Sequence, residues 1–160
     1  MRPKNISDDY AIDQDVIDNF IKFAKKNKYK LNYLCYLYPV NPLIKISTLK
    51  KCKKILRKSS CQSVITVHKY SFPVELALIK NSWGYIEVKN KKYNNYRSQY
   101  FSSSYVDAGQ CYWYKMSSIK KFKNIKTKAI ELKRFEYLDV DTEEDLKVLK
   151  KIYKYKLHKN

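Results

Sequence analysis

Read as a succession of apolar and polar positions, the chain alternates helical and extended periods. From Asp13, the residues Val16, Ile17, Phe20, Ile21, Phe23 and Ala24 recur at helical spacing behind an acidic first turn. The stretch then runs into Lys25, Lys26 and Lys28, which predicts an amphipathic helix with charges matched to its dipole. Residues 31–38 are nearly all apolar and stop at Pro39, which predicts a strand buried on both faces, central in a parallel sheet. Ser47 is placed to N-cap a helix carrying Leu49, Cys52, Ile55 and Leu56, and the β-branched stretch 63–68 completes one βαβ crossover.

The middle of the chain is less regular. A strand or hairpin is predicted around 83–88, then a Tyr-, Asn- and Ser-rich loop over 90–99 of the kind that carries function. Strands are expected at 110–115 and 128–132, with a short helix at 117–122 between them. Thr142 and Asp145 have S/T-x-x-D spacing, a carboxylate form of the capping box, before the apolar stripe Leu146, Leu149, Ile152 and Tyr153. Strands alternating with helices predict an α/β, Rossmann-like, mostly parallel sheet with helices on both faces. In such sheets ligands bind beyond the carboxyl ends of the strands.

Length and charge narrow the picture. The 160 residues are the length of one domain, and 44% hydrophobic with 15% aromatic residues is enough for a packed core. The net charge is +19, from 34 Lys+Arg against 15 Asp+Glu, yet the only arginines are Arg2, Arg57, Arg97 and Arg134. Nucleic-acid surfaces lean on arginine for bidentate contacts, so a lysine excess spread over every predicted helix reads as solvated surface, with no nucleic-acid partner. No apolar run approaches the ~18 residues of a membrane span and the N-terminus lacks a signal-peptide core, which predicts a cytoplasmic chain without a membrane partner. Cys35, Cys52, Cys61 and Cys111 form no C-x-x-C pair and are read as structural, and the two glycines, Gly84 and Gly109, cannot write a phosphate-cradling motif.

Chemistry gathers in three clusters at predicted strand ends: 37–43, 106–110 and 138–142. Carboxylates at i and i+2 of an extended segment point to one side, so Asp139 and Asp141 can chelate a hard cation beside substrate phosphates, or else merely complement the helix that follows.

At this point a resemblance enters. Arg2-Pro3 with Ser7-Asp8-Asp9, the Y-P-V-N-P-L turn at 38–43, Tyr96-Arg97-Ser98-Gln99, D-A-G-Q-C-Y-W at 107–113 and D-V-D-T-E-E-D-L at 139–146 resemble, in this order, the nucleotide-sugar cytidylyltransferases that activate nonulosonic acids. The pattern is nearest the branch that acts on pseudaminic acid; the sialic and legionaminic acid branches are the alternative. The resemblance implies a Mg²⁺- or Mn²⁺-dependent reaction of CTP with the sugar acid, giving the CMP-sugar and pyrophosphate for surface glycan or flagellin glycosylation. It implies Asp139 and Asp141 as catalytic metal ligands, Arg2 and Asp9 on the nucleotide, and Tyr38, Arg97, Gln99, Asp107 and Gln110 around the sugar.

The resemblance covers the last two-thirds of such a domain and leaves out its first strand and basic phosphate loop. Residues 1–160 are then one incomplete nucleotidyltransferase domain, weak or inactive alone, completed by a homodimer or by the missing segment. A non-catalytic remnant that retains sugar binding is the rival reading. Val106 stands where the family has histidine and Tyr114 where it has glycine.

Overall fold

The computed structural model describes residues 3–8, 10–39, 41–119 and 125–157, with side chains through 155. Three helices, α1 (Asp13–Lys26), α2 (Ile46–Lys58) and α3 (Glu143–Leu157), accompany β1 (Tyr33–Leu37), β2 (Ser63–Lys69), β3 (Leu78–Lys80), β4 (Ile86–Val88), β5 (Tyr105–Lys115) and β6 (Thr127–Glu131). The main sheet has the order β1-β5-β2-β6, and β3 and β4 form a separate hairpin.

The α/β class and the placing of helices on both faces are borne out. Alternate residues of β1 point to opposite faces. Tyr33 packs with Cys52, Leu56, Val64 and Cys111 under α2, while Leu34 and Tyr36 pack with Ile17 and Ile21 of α1. The cysteine reading also fits, since Cys52, Cys61 and Cys111 are buried and none of the four is in a disulfide. Burial pushes the Cys35 thiol up to about 12.

The sheet is less parallel than its sequence suggests. β5 runs antiparallel to both β1 and β2, and only β2 and β6 pair in parallel. It follows that β1, β2 and β6 share one direction and a single reversed strand lies between them. The β1–α2–β2 crossover keeps its predicted sense, but β5 is inserted between its two strands. The apolar run 31–38 is correspondingly an edge strand. Helices cover both of its faces, which is why its composition matches that of a central strand, yet among the described residues only one of its edges is paired.

Other expectations shift by small amounts. Lys45, not Ser47, is the N-cap of α2 and makes no side-chain cap bond. The predicted strand at 110–115 begins at Tyr105. Part of the helix expected at 117–122 lies outside the described residues. The α3 cap is as read: Thr142 Oγ1 accepts from Asp145 N (3.2 Å), and Asp145 Oδ2 accepts from Thr142 N (2.9 Å). Charge is less even than expected, because α2 carries Lys50, Lys51, Lys53, Lys54, Arg57 and Lys58 and no carboxylate, whereas α1 and α3 open on acids.

Candidate functional site

The shared direction of β1, β2 and β6 brings their carboxyl ends to one edge of the sheet, where β5 begins. At that edge β5 is distorted. Ile65 pairs with Tyr112 and Val67 with Asp107, so the single residue Thr66 faces four residues of β5, 108–111, and β5 carries three extra residues. These are the heart of the D-A-G-Q-C motif. A left-handed glycine and two local hydrogen bonds hold the bulge. Gly109 takes a left-handed backbone (φ +60), its N–H donates to Asp107 Oδ1 (3.0 Å), and Cys111 N–H donates to Thr66 Oγ1 (3.2 Å).

The bulge is where distant motifs meet. A Cβ on Gly109 would lie 3.3 Å from Asp139 Oδ2, so the glycine lets the D-V-D-T segment approach the strand. Asn41 of the 38–43 turn donates from Nδ2 to Gln110 O (2.9 Å), and buried Gln110 donates from Nε2 to Glu136 O (2.6 Å). Lys45 forms a salt bridge with Glu136. Gln110 therefore ties the segment before Asp139 to the sheet. Val106 and Tyr114, the two departures from the family pattern, flank the bulge in β5, paired with His68 and with Leu34 and Ser63.

Tyr38 joins from the other side. Its hydroxyl donates to Asp13 Oδ2 (2.7 Å), and Tyr36 donates to Asp13 Oδ1 (2.8 Å). The ring of Tyr112 packs against those of Tyr36 and Tyr38 (centroids 6.1 and 5.5 Å apart), beside the Asp13 pair. Burial first, then the Asp13 hydrogen bond, raises the Tyr38 hydroxyl above its ordinary value. Burial, with Tyr38 and Asp107 beside it, raises Tyr112 further, so both phenols are held neutral. Asp13 and Tyr112 were not singled out from the sequence. Asp13 looked like a helix-start acid, and no local signal aligns Tyr112 with Asp107 when the register slips by three.

Asp139 and Asp141 are both exposed, and the cap of α3 is made by Thr142 and Asp145 instead. Their donor set fits Mg²⁺, which binds through one or two carboxylates and takes its remaining oxygens from phosphates and water. Among the described residues no third His, Cys, Asp or Glu completes a metal cluster with them. Two residues before Asp139, Tyr137 stacks on His68 (centroids 3.9 Å apart, planes 12° apart), whose Nδ1 is buried without a partner.

Arg97 and Gln99 belong to the 90–104 region. Arg97 is the exposed N-cap of the 3₁₀ turn Ser98–Tyr100. Gln99 lines a cleft of about 270 Å³ between the turn after β2 and the segment 98–104. Arg2 and Asp9 lie outside the described residues.

The bulge thus seats Asp139 of D-V-D-T against Gly109 of D-A-G-Q at one strand end, and known proteins similar to this chain are nucleotidyltransferases. Two curated pseudaminic acid cytidylyltransferases of Campylobacter jejuni are similar to this chain: that of serotype O:2 at 27% identity and that of serotype O:23/36 at 26%, each over 96% of this chain and 68% of its own length. The resemblance read from the motifs is thereby borne out, and with it the kinship to cytidylyltransferases. Among solved structures, the 4-diphosphocytidyl-2C-methyl-D-erythritol synthase of Anaerococcus prevotii aligns with a TM-score of 0.45 at 13% identity, over 85% of this chain and 74% of that one. No protein-family profile matches the chain. Among the described residues no helix is long and apolar enough to cross a membrane.

Proposed function

We propose that the chain is the sugar- and metal-binding part of a cytoplasmic cytidylyltransferase that joins CMP from CTP to pseudaminic acid and releases pyrophosphate, a step toward glycosylated surface structures. The observation that carries this reading is the seating of Asp139 of D-V-D-T against Gly109 of D-A-G-Q, two motifs 30 residues apart brought to one strand end. In this reading Asp139 and Asp141 hold Mg²⁺ or Mn²⁺. The ion, when bound, neutralises charge on the triphosphate.

The chain's own residues do the rest. Asp107, whose Oδ1 accepts from Gly109 N–H, binds sugar hydroxyls in this reading, and Tyr38 contributes from β1's end of the sheet. Gln110, buried, acts by holding the segment before Asp139 in place. Arg97 and Gln99 approach the sugar from the 90–104 region, and Arg2 and Asp9 serve the nucleotide. Residues 1–160 form one unit of this domain. Neither glycine lies in a phosphate loop, so these residues alone turn over slowly.

The exposed hairpin, with Trp83 at 81% and Tyr85 at 72% exposure, is the proposed homodimer contact. A relative acting on sialic or legionaminic acid, or a remnant that only binds sugar, would share this geometry.

Two measurements test the proposal. Calorimetric titration with Mg²⁺ and CTP should give heat with wild type and little with Asp141→Ala; equal heats remove the metal role. Pyrophosphate release with CTP and each sugar acid should be slow for these residues alone and highest with pseudaminic acid. Turnover near ~1 s⁻¹ would contradict slow catalysis by the isolated chain.

A further inference from the structure

The cleft lined by Gln99 has a chemistry of its own. Its walls carry hydroxyls, among them Ser71, Ser98 and Ser103, each able to donate and accept. Phe72 lines it at 68% exposure and Tyr70 at 41%, the latter with its ring tilted against that of His68 (centroids 6.4 Å apart). Lys69 is the one cation in the lining and no carboxylate is part of it, while Arg97, next but one to Gln99, is not part of it.

The walls are built to stay open. Tyr70 N–H donates to Ser104 O (3.0 Å) at the base, and Phe101 is braced edge-on against Tyr93 (centroids 5.1 Å apart). Hydroxyls matched to vicinal hydroxyls, exposed rings for an apolar sugar face and a lone cation select a sugar that bears an anionic group. Lys69 pairs with Tyr105, the first residue of β5, so the cleft opens at the same sheet end as Asp107 and Asp139.

We propose that this cleft binds the carboxylated sugar, with the Lys69 ammonium, not Arg97, as the counter-ion of its carboxylate and Phe72 as its apolar floor. The assignment rests on the reading that a sugar acid is a substrate, and it adds the residue that recognises the acid group.

The test uses the full chain without nucleotide, with pseudaminic acid and its methyl ester as probes, followed by calorimetry and saturation-transfer NMR. Wild type should bind the acid about tenfold tighter than the ester. Lys69→Gln should erase that preference and Arg97→Gln should keep it. Phe72→Ala should weaken acid and ester alike. Lys69 is exposed at a strand end, so its variant should keep the wild-type circular dichroism. Equal binding of acid and ester by wild type, no binding of either, or a preference lost with Arg97→Gln and kept with Lys69→Gln would overturn the assignment. Sugar binding without any CMP-sugar formation would instead sink the proposed reaction and leave the cleft standing.

Discussion

The main sheet and the β3–β4 hairpin draw on the same kinds of residue and use them in opposite ways. Around β2, Val64, Thr66, Cys52, Leu56 and Cys111 are all fully buried, held between strands and α2. In the hairpin, Leu78 and Ile86 are 62% and 61% exposed, and Trp83 more so. The hairpin is held by its own backbone and by Asn81, whose Oδ1 accepts from Trp83 N and Tyr85 N and whose Nδ2 donates to Glu87. Apolar content alone thus does not mark a core. What differs is whether a second layer lies over the strand, and an isolated two-stranded ribbon is marginal in water without one.

The contrast breaks most sharply on a pair of truncations. Leu56→Ala should cost about 2–5 kcal/mol in urea unfolding, because it opens a cavity in a fully buried site. Gly109→Ala should cost about 1–2 kcal/mol for the left-handed backbone alone, and should also displace Asp139, visible as weakened Mg²⁺ binding. Thr142→Ala should cost about 1 kcal/mol by removing the cap of α3.

That cap also carries a pH signature. Hydrogen bonds from Thr142 hold the Asp145 carboxyl below its ordinary value. A group whose folded value is depressed contributes stability above its unfolded value and loses it as pH falls through the folded one. Acid unfolding should therefore steepen on the acid side of the usual carboxylate range, less so in Thr142→Ala. Smallest of all, Trp83→Ala should leave the unfolding free energy within about 0.5 kcal/mol, since the ring packs on little. Its effect should appear in sedimentation velocity instead, as a shift toward monomer. A core-sized loss of stability would mean that the hairpin belongs to the same folding unit as the sheet.

The legible parts of the fold were those where one element declares itself. Ile17, Ile21 and Ala24 mark the buried side of α1 by spacing alone, and Thr142 with Asp145 marks the start of α3. What stayed hidden was relational. Nothing in 31–38 distinguishes a central strand from an edge strand covered by helices on both faces, and strand direction leaves no local trace, so β5 was not recognisable as reversed. At the site, the ordered motifs singled out Asp107, Gln110 and Asp139. The glycine in D-A-G-Q was the one sign of the bulge that joins them, whereas Asp13, Tyr112 and Lys69 depend on register and loop path.

The reversed strand has a consequence in time. β1 and β2 are made early in synthesis, but neither pairs with the other, and the strand that joins them is β5, whose partners Tyr33 and Lys115 are 82 positions apart. As the chain emerges N-terminus first, two apolar strands wait without a sheet until the last residues of β5 are free of the ribosome. Closing such distant contacts is slow, and exposed strand edges invite association in the meantime. The same topology that collects the site residues at one end makes the nascent chain dependent on late closure.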